Sequence, residues 1–218
     1  MYQVLANLAK RTPLYDVVVR LRLRRELAAW YRRGRSPPAP HLVKQALVAD
    51  YAARFGVATL VETGTYMGTM VHAMRRRFQR IVSIELDPYL AERATRRFAA
   101  SPHVRILRGD SAARLANVLE TLTEPALFWL DAHYSGGITS RTALDTPVAT
   151  EVRRILEHPV ADRHVVLIDD ARLFDGTHDY PSLDELRALV ASKRPELTVE
   201  VADDVIRVHR PLTATQPP

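Results

Sequence analysis

Residues 60–88 read LVETGTYMGTMVHAMRRRFQRIVSIELDP, and this stretch decides the fold. A short apolar run over 58–61 gives way to Glu62-Thr63-Gly64-Thr65-Tyr66-Met67-Gly68, a turn with two glycines. Thr69 to Phe78 follows without a breaker and is predicted helical. Ile81-Val82-Ser83-Ile84-Glu85 then has the composition of a buried parallel strand and closes on an acid. Strand, turn, helix and strand make one βαβ unit, which opens a crevice at the carboxyl ends of its strands. The glycines let backbone approach a ligand there. Glu85, about 20 residues past the turn, is placed to accept hydrogen bonds from a ribose diol.

The charges at this crevice discriminate between ligands. A nicotinamide or flavin fingerprint needs G-x-G-x-x-G so that a pyrophosphate can rest on a helix N-terminus. Here the spacing is Gly64-x-x-x-Gly68, and Glu62 ends the preceding strand. A carboxylate at that point repels a pyrophosphate and suits a cationic ligand. The pattern E-x-G-x-x-x-G, with an acid ending the next strand, resembles the class I methyltransferases that use S-adenosylmethionine. That ligand carries an ammonium, a sulfonium and a ribose but no phosphate.

The chain has 218 residues, 47% apolar and 26% charged, the proportions of a soluble globular domain with an added segment. Cysteine is absent, so no disulfide framework exists; this fits a cytoplasmic setting. No apolar run is long enough to span a bilayer, and the N-terminus lacks the pattern of a secretory signal. The formal charge is +6. Residues 1–35 carry nine basic residues against Asp16 and Glu26, a net of +7, which leaves the remainder at −1. The core is therefore not built for a polyanion, and only the arm is basic.

Leu14 to Arg33 contains no Gly or Pro and is predicted helical, with Leu14, Val17, Val18, Leu21 and Ala28 on one stripe. One reading packs this helix on the domain or on a second subunit in a homo-oligomer. The other lays it on anionic membrane or nucleic acid, the chain then being a non-catalytic Rossmann-like binding module. Gly34 to Pro40, with three prolines, marks the boundary, giving an arm over 1–40 and a main domain over 41–218. Helices are then expected over 41–55, ended by Gly56, and over 88–99, 112–122 and 147–157, the last with Thr146 as its N-cap. Strands are expected over 104–107, 126–130 and 165–168. Ser182-Leu183-Asp184-Glu185 is a capping box that starts a last helix ending near Arg194-Pro195. Leu197–Val201 and Val205–His209 form a closing hairpin around Ala202-Asp203-Asp204.

Strands alternating with helices imply an α/β, doubly wound, mostly parallel sheet, and the hairpin supplies its antiparallel edge. This layout resembles the class I methyltransferase fold over roughly residues 42–210, whose seven-stranded sheet ends in such a hairpin, here with added N-terminal helices.

Each parallel strand finishes on or within three residues of an acid: Glu62, Glu85, Asp110, Asp131 and Asp169. Together they make an acidic crevice, although Asp110 alone is equally a helix N-cap. The resemblance implies that the turn residues Glu62, Thr63, Gly64, Thr65 and Gly68 hold the methionine part of S-adenosylmethionine. It places Glu85 on the ribose and Asp110 with Ser111 on the adenine. Asp131, Asp169 and Asp170 exceed what that ligand needs, and like charges so close call for a neutralising cation. They are similar to the acids of metal-dependent O-methyltransferases of the catechol and antibiotic-sugar types, with one Asp after strand four and an acidic pair after strand five. That likeness implies Mg²⁺ and a small hydroxylated acceptor. The loop Ala132-His133-Tyr134-Ser135-Gly136-Gly137 departs from the expected sequence. A metal-free site with Asp131 or His133 as base is the alternative, and His133 is also readable as a metal ligand or a loop residue. Tyr134, Arg141, Arg172, His178 and Tyr180 are candidate acceptor contacts, and Gly136-Gly137 gives that loop the freedom of a lid.

Overall fold

The computed structural model describes residues 13–131 and 147–212. The strands are β1 Thr59–Thr63, β2 Arg80–Glu85, β3 Val104–Arg108, β4 Ala126–Leu130, β5 Val165–Ile168, β6 Thr198–Ala202 and β7 Val205–His209. They form one seven-stranded sheet in the order β3-β2-β1-β4-β5-β7-β6. The first five run parallel, and β7 lies antiparallel to both β5 and β6. The order reverses between β1 and β4, so the crevice at their carboxyl ends is the switch point of the sheet.

The central strands are buried on both faces, which is why they read as unbroken apolar runs. All five residues of β4, Ala126-Leu127-Phe128-Trp129-Leu130, are buried. One face, carrying Val61, Phe128 and Ile168, packs on Leu115, Val152, Leu186 and Val190. These belong to α5 Ser111–Glu120, α6 Val148–Glu157 and α7 Leu183–Lys193. The other face, carrying Leu60, Trp129 and Leu167, packs on Val48, Tyr51, Met70 and Phe98. These come from α2 His41–Phe55, α3 Thr69–Met74 and α4 Pro88–Phe98.

Local signals set most element ends. Gly56 closes α2 in the left-handed region at φ 63°, its N–H donating to Ala52 and Ala53 carbonyls. Ser182 and Glu185 make the reciprocal capping box of α7. The helix expected to reach Phe78 is shorter, with Arg75–Arg77 in a turn that lets Phe78 enter the core at 4% exposure. The expected N-cap Thr146 lies outside the described residues. The N-terminal helix α1 covers Pro13–Arg32. Its expected stripe is corrected at two positions: Leu21 and Ala28 are exposed, whereas Leu23 and Leu27 are half-buried and Trp30 is 1% exposed; the side chains of Leu14, Val17 and Val18 lie outside those described. The i, i+4, i+7 spacing of Leu23, Leu27 and Trp30 decides the docked face. Arg35, just beyond α1, pairs with Asp203 of the hairpin turn and stacks over Trp30. No helix among the described residues is long and apolar enough to cross a membrane.

At the opposite edge of the sheet two histidines form a buried relay. The Ala126 N–H donates to His164 Nδ1 at 3.1 Å, which fixes the ring proton on Nε2. Nε2 then donates to His158 Nδ1 at 2.9 Å, and His158 Nε2 donates to the Leu119 carbonyl at 3.1 Å. Burial, reinforced by His158, pushes His164 down to about 3. Its unfolded value is 6.5, so the contribution to stability is complete above that pH and is lost as pH falls from 6.5 toward 3. Urea unfolding should show the chain about 2 kcal/mol less stable at pH 5 than at pH 7 through this group, at ~1.4 kcal/mol per pH unit. A His164→Gln variant should flatten that dependence.

Candidate functional site

The carboxyl ends of β1, β2, β4 and β5 bring the sequence-predicted acids to one edge. Gly64 follows β1 at φ 83°, and a Cβ there would lie 2.6 Å from the Asp131 carbonyl oxygen. The turn after β1 therefore crosses the end of β4 in direct contact, an approach that only glycine allows. Gly64→Ala should force these strand ends apart, at a cost of about 1–3 kcal/mol in stability. A thermal melt alongside a ligand titration checks this, with both properties expected to fall. Gly68 at φ 67° caps α3 and sits on the Phe98 ring.

Glu62 is 2% exposed and lies beside Ser83, its register partner on β2. The Ser83 hydroxyl donates to Glu62 Oε2 and is 2.6 Å from Thr65 Oγ1. Burial pushes the Glu62 carboxyl up to about 8, against the Ser83 bond and with help from Asp131 and Glu85. The negative charge expected of Glu62 is thus largely suppressed at pH 7. Glu85 accepts from the Tyr66 N–H at 2.7 Å through one oxygen and from the Asp87 N–H at 2.9 Å through the other. It holds Tyr66 in the left-handed region at φ 46° and thereby shapes the turn. Asp110 accepts from the Ala113 N–H at 2.8 Å, so it caps α5.

Thr63 and Ser111 face a residue that the sequence reading missed. Glu151, in the first turn of α6, is fully buried. Burial pushes its carboxyl up to about 7, the Ser111 and Thr63 hydroxyls pulling the other way. Neither Glu151 oxygen nor Thr63 Oγ1 completes a hydrogen bond of full geometry. The signal was present: Glu151 occupies a position in the apolar stripe of Val148, Val152 and Ile155.

Asp131, Asp169 and Asp170 converge at the ends of β4 and β5. One oxygen of each lies within 4.8 Å of the others. That span matches the diameter of an oxygen shell around Mg²⁺ or Ca²⁺, about 4–5 Å, and three carboxylates are the donors such ions prefer. The donor set therefore fits a hard divalent cation. A second missed residue is Lys44 of α2, whose Nζ pairs with Asp169 Oδ2 and lies 3.9 Å from Asp170 Oδ1. Lys44 stands four residues before Val48 and seven before Tyr51, on the face of α2 that meets the sheet. Burial raises the Asp169 carboxyl, Lys44 lowers it and Asp170 raises it. Asp170 occupies the left-handed region at φ 58°. Its Oδ1 accepts from Arg172 Nη1 at 2.9 Å, and Arg172 also pairs with the buried Asp204.

Of the other candidates, Tyr180 packs edge-on against Phe174 at 5.5 Å, and His178 is exposed beside Thr177. His133, Tyr134, Gly136, Gly137 and Arg141 lie outside the described residues.

No family model matches the chain, and no curated protein matches it. Solved structures do. The O-methyltransferase TomG of Streptomyces achromogenes, involved in tomaymycin synthesis and bound to SAM, superposes at TM-score 0.54 and 18% identity, over 85% of this chain and 87% of that one. An O-methyltransferase from Bacillus cereus bound to SAH gives 0.52 and 14%, over 85% and 88%. The 23S rRNA methyltransferase ErmE gives 0.51 and 17%, over 77% and 67%. The fold accommodates different acceptors, and the site must choose among them. The sheet order, the glycine turn across its switch point and these superpositions agree: this chain has the class I methyltransferase fold.

Proposed function

We propose that the chain transfers the methyl group of S-adenosylmethionine to a hydroxyl oxygen of a small molecule, with a divalent cation, Mg²⁺ foremost, held by Asp131, Asp169 and Asp170. The observation that carries this reading is the convergence of those three carboxylates beside a glycine turn at the switch point of a methyltransferase sheet. Two of the compared structures are O-methyltransferases, which supports oxygen as the acceptor atom.

The turn from Glu62 to Gly68 receives the methionine part of the ligand. Its ammonium restores the charge of Glu62 that burial suppresses, and the Glu85 carboxylate takes the ribose hydroxyls with its remaining lone pairs. When bound, the cation lowers the pKa of an acceptor hydroxyl and stabilises the oxyanion. Asp131, Asp169 and Asp170 would hold that cation at the ends of β4 and β5, beside the glycine turn, and transfer would need the acceptor oxygen in line with the methyl carbon and the sulfur. The oxygen forms a bond to the methyl carbon, the carbon–sulfur bond breaks, and its electron pair leaves with S-adenosylhomocysteine. The hydroxyl proton passes to a base, for which His133 is the candidate; in a site without the cation that role falls to Asp131 or His133.

The test is transfer of labelled methyl from S-adenosylmethionine to a panel of catechols, phenols and sugars, with Mg²⁺ or with chelator. Label should enter a hydroxylated small molecule only when Mg²⁺ is present. Equal transfer under chelation removes the cation from the mechanism, and transfer to RNA alone overturns the small-molecule acceptor.

A further inference from the structure

Both carboxylate oxygens of Asp169 are already engaged inside the protein. Oδ1 accepts the Asp170 N–H at 2.9 Å, and Oδ2 is held by Lys44 Nζ. The same ammonium lies 3.9 Å from Asp170 Oδ1, and the Lys44 side chain is only 14% exposed. A cation is therefore built into the protein where the carboxylates meet. Asp169, Asp170 and Asp204 pair with Lys44 and Arg172, and Asp131 lies beside the first two, so four carboxylates and two cations give a net charge of −2 that becomes −3 without Lys44.

Each Asp169 oxygen keeps a second lone pair that a divalent ion can use, so the competition is one of charge and space: an ion at Asp169 comes up against the Asp170 amide or the Lys44 ammonium. The amide belongs to the chain itself and cannot withdraw without rebuilding the end of β5. The ammonium sits on a flexible four-carbon stem and is repelled by an incoming dication. Arg172 does not compete in this way, because its guanidinium is shared with the buried Asp204 and contacts Asp170 alone of the three.

We propose that Lys44 is the resident counter-ion of this cluster and is displaced from Asp169 Oδ2 when a divalent cation binds, so that it sets the affinity of the site. This rests on the cation site described above. The resident ammonium keeps the three carboxylates from facing one another unneutralised before the ion arrives, and the work of displacing it weakens binding.

Mn²⁺ titration of the full chain, followed by the electron paramagnetic resonance of the free ion at constant pH, tests this without turnover. Lys44→Gln keeps a donor toward Asp169 but removes the charge, and should bind Mn²⁺ about tenfold more tightly than wild type. Lys44→Arg, with the charge restored, should return to within about threefold of wild type. Thermal melts and S-adenosylhomocysteine binding establish that each variant is folded. Binding by Lys44→Gln where wild type shows none supports the proposal as well. An unchanged or weaker affinity in Lys44→Gln, with wild type binding, overturns it and leaves the cation site standing. If no form binds Mn²⁺, the cation site falls and the proposal falls with it.

Discussion

Asp169→Asn is expected to abolish methyl transfer, by about a thousandfold or more, while S-adenosylhomocysteine affinity stays within a few-fold of wild type. The separation follows from position. Asp169 follows β5 and belongs to the acid cluster, whereas the turn proposed to receive the ligand follows β1, with β4 between them. The substitution removes one of three anionic ligands and leaves Lys44 without its closest carboxylate. Loss of cation stabilisation in the transition state costs several kcal/mol, and ~4 kcal/mol corresponds to that thousandfold. Chelation of the wild-type chain should reproduce the phenotype. Parallel measurements of turnover and of ligand binding check it, and a proportional loss of both would show that Asp169 supports the ligand pocket instead.

Glu85→Ala should weaken S-adenosylhomocysteine by about a hundredfold, on the order of 3 kcal/mol. Two effects add. The ribose loses its carboxylate acceptor, and charge-assisted hydrogen bonds of this kind contribute about 1.5–3 kcal/mol each. The Tyr66 and Asp87 N–H groups also lose their acceptor, so Tyr66 is no longer held at φ 46° and the turn loosens. Glu85→Gln retains one acceptor oxygen and should fall between wild type and Ala. Calorimetric titration distinguishes the three, and equal affinity in all of them would remove Glu85 from the ligand site.

The fold was legible because its signals are local. The apolar run of β4, the Gly56 terminator and the Ser182–Glu185 capping box each act within a few residues, and each element lies where those signals put it. Convergence of Asp131 with Asp169 and Asp170 was legible too, since parallel strands deliver their ends to one edge. The cluster's counter-charge was not. Lys44 stands 125 positions from Asp169 and meets it only because α2 packs across the sheet, and Arg172 joins Asp170 to Asp204 through the β6–β7 turn. Glu151 was missed for another reason: an acid in a first helical turn reads as dipole compensation, which masks its place in the apolar stripe of α6. On α1, the stripe read from the sequence ran through Leu21 and Ala28 and left out Leu23, Leu27 and Trp30, the larger side chains that are turned inward.

The central claim is that an adenosyl ligand occupies the crevice between β1, β2 and β4. Isothermal calorimetry of the full chain with S-adenosylhomocysteine tests it most directly, because it needs neither acceptor nor metal. The account predicts one saturable site of micromolar strength, about −8 kcal/mol, unaffected by chelator. Absence of saturable binding at millimolar ligand would contradict it.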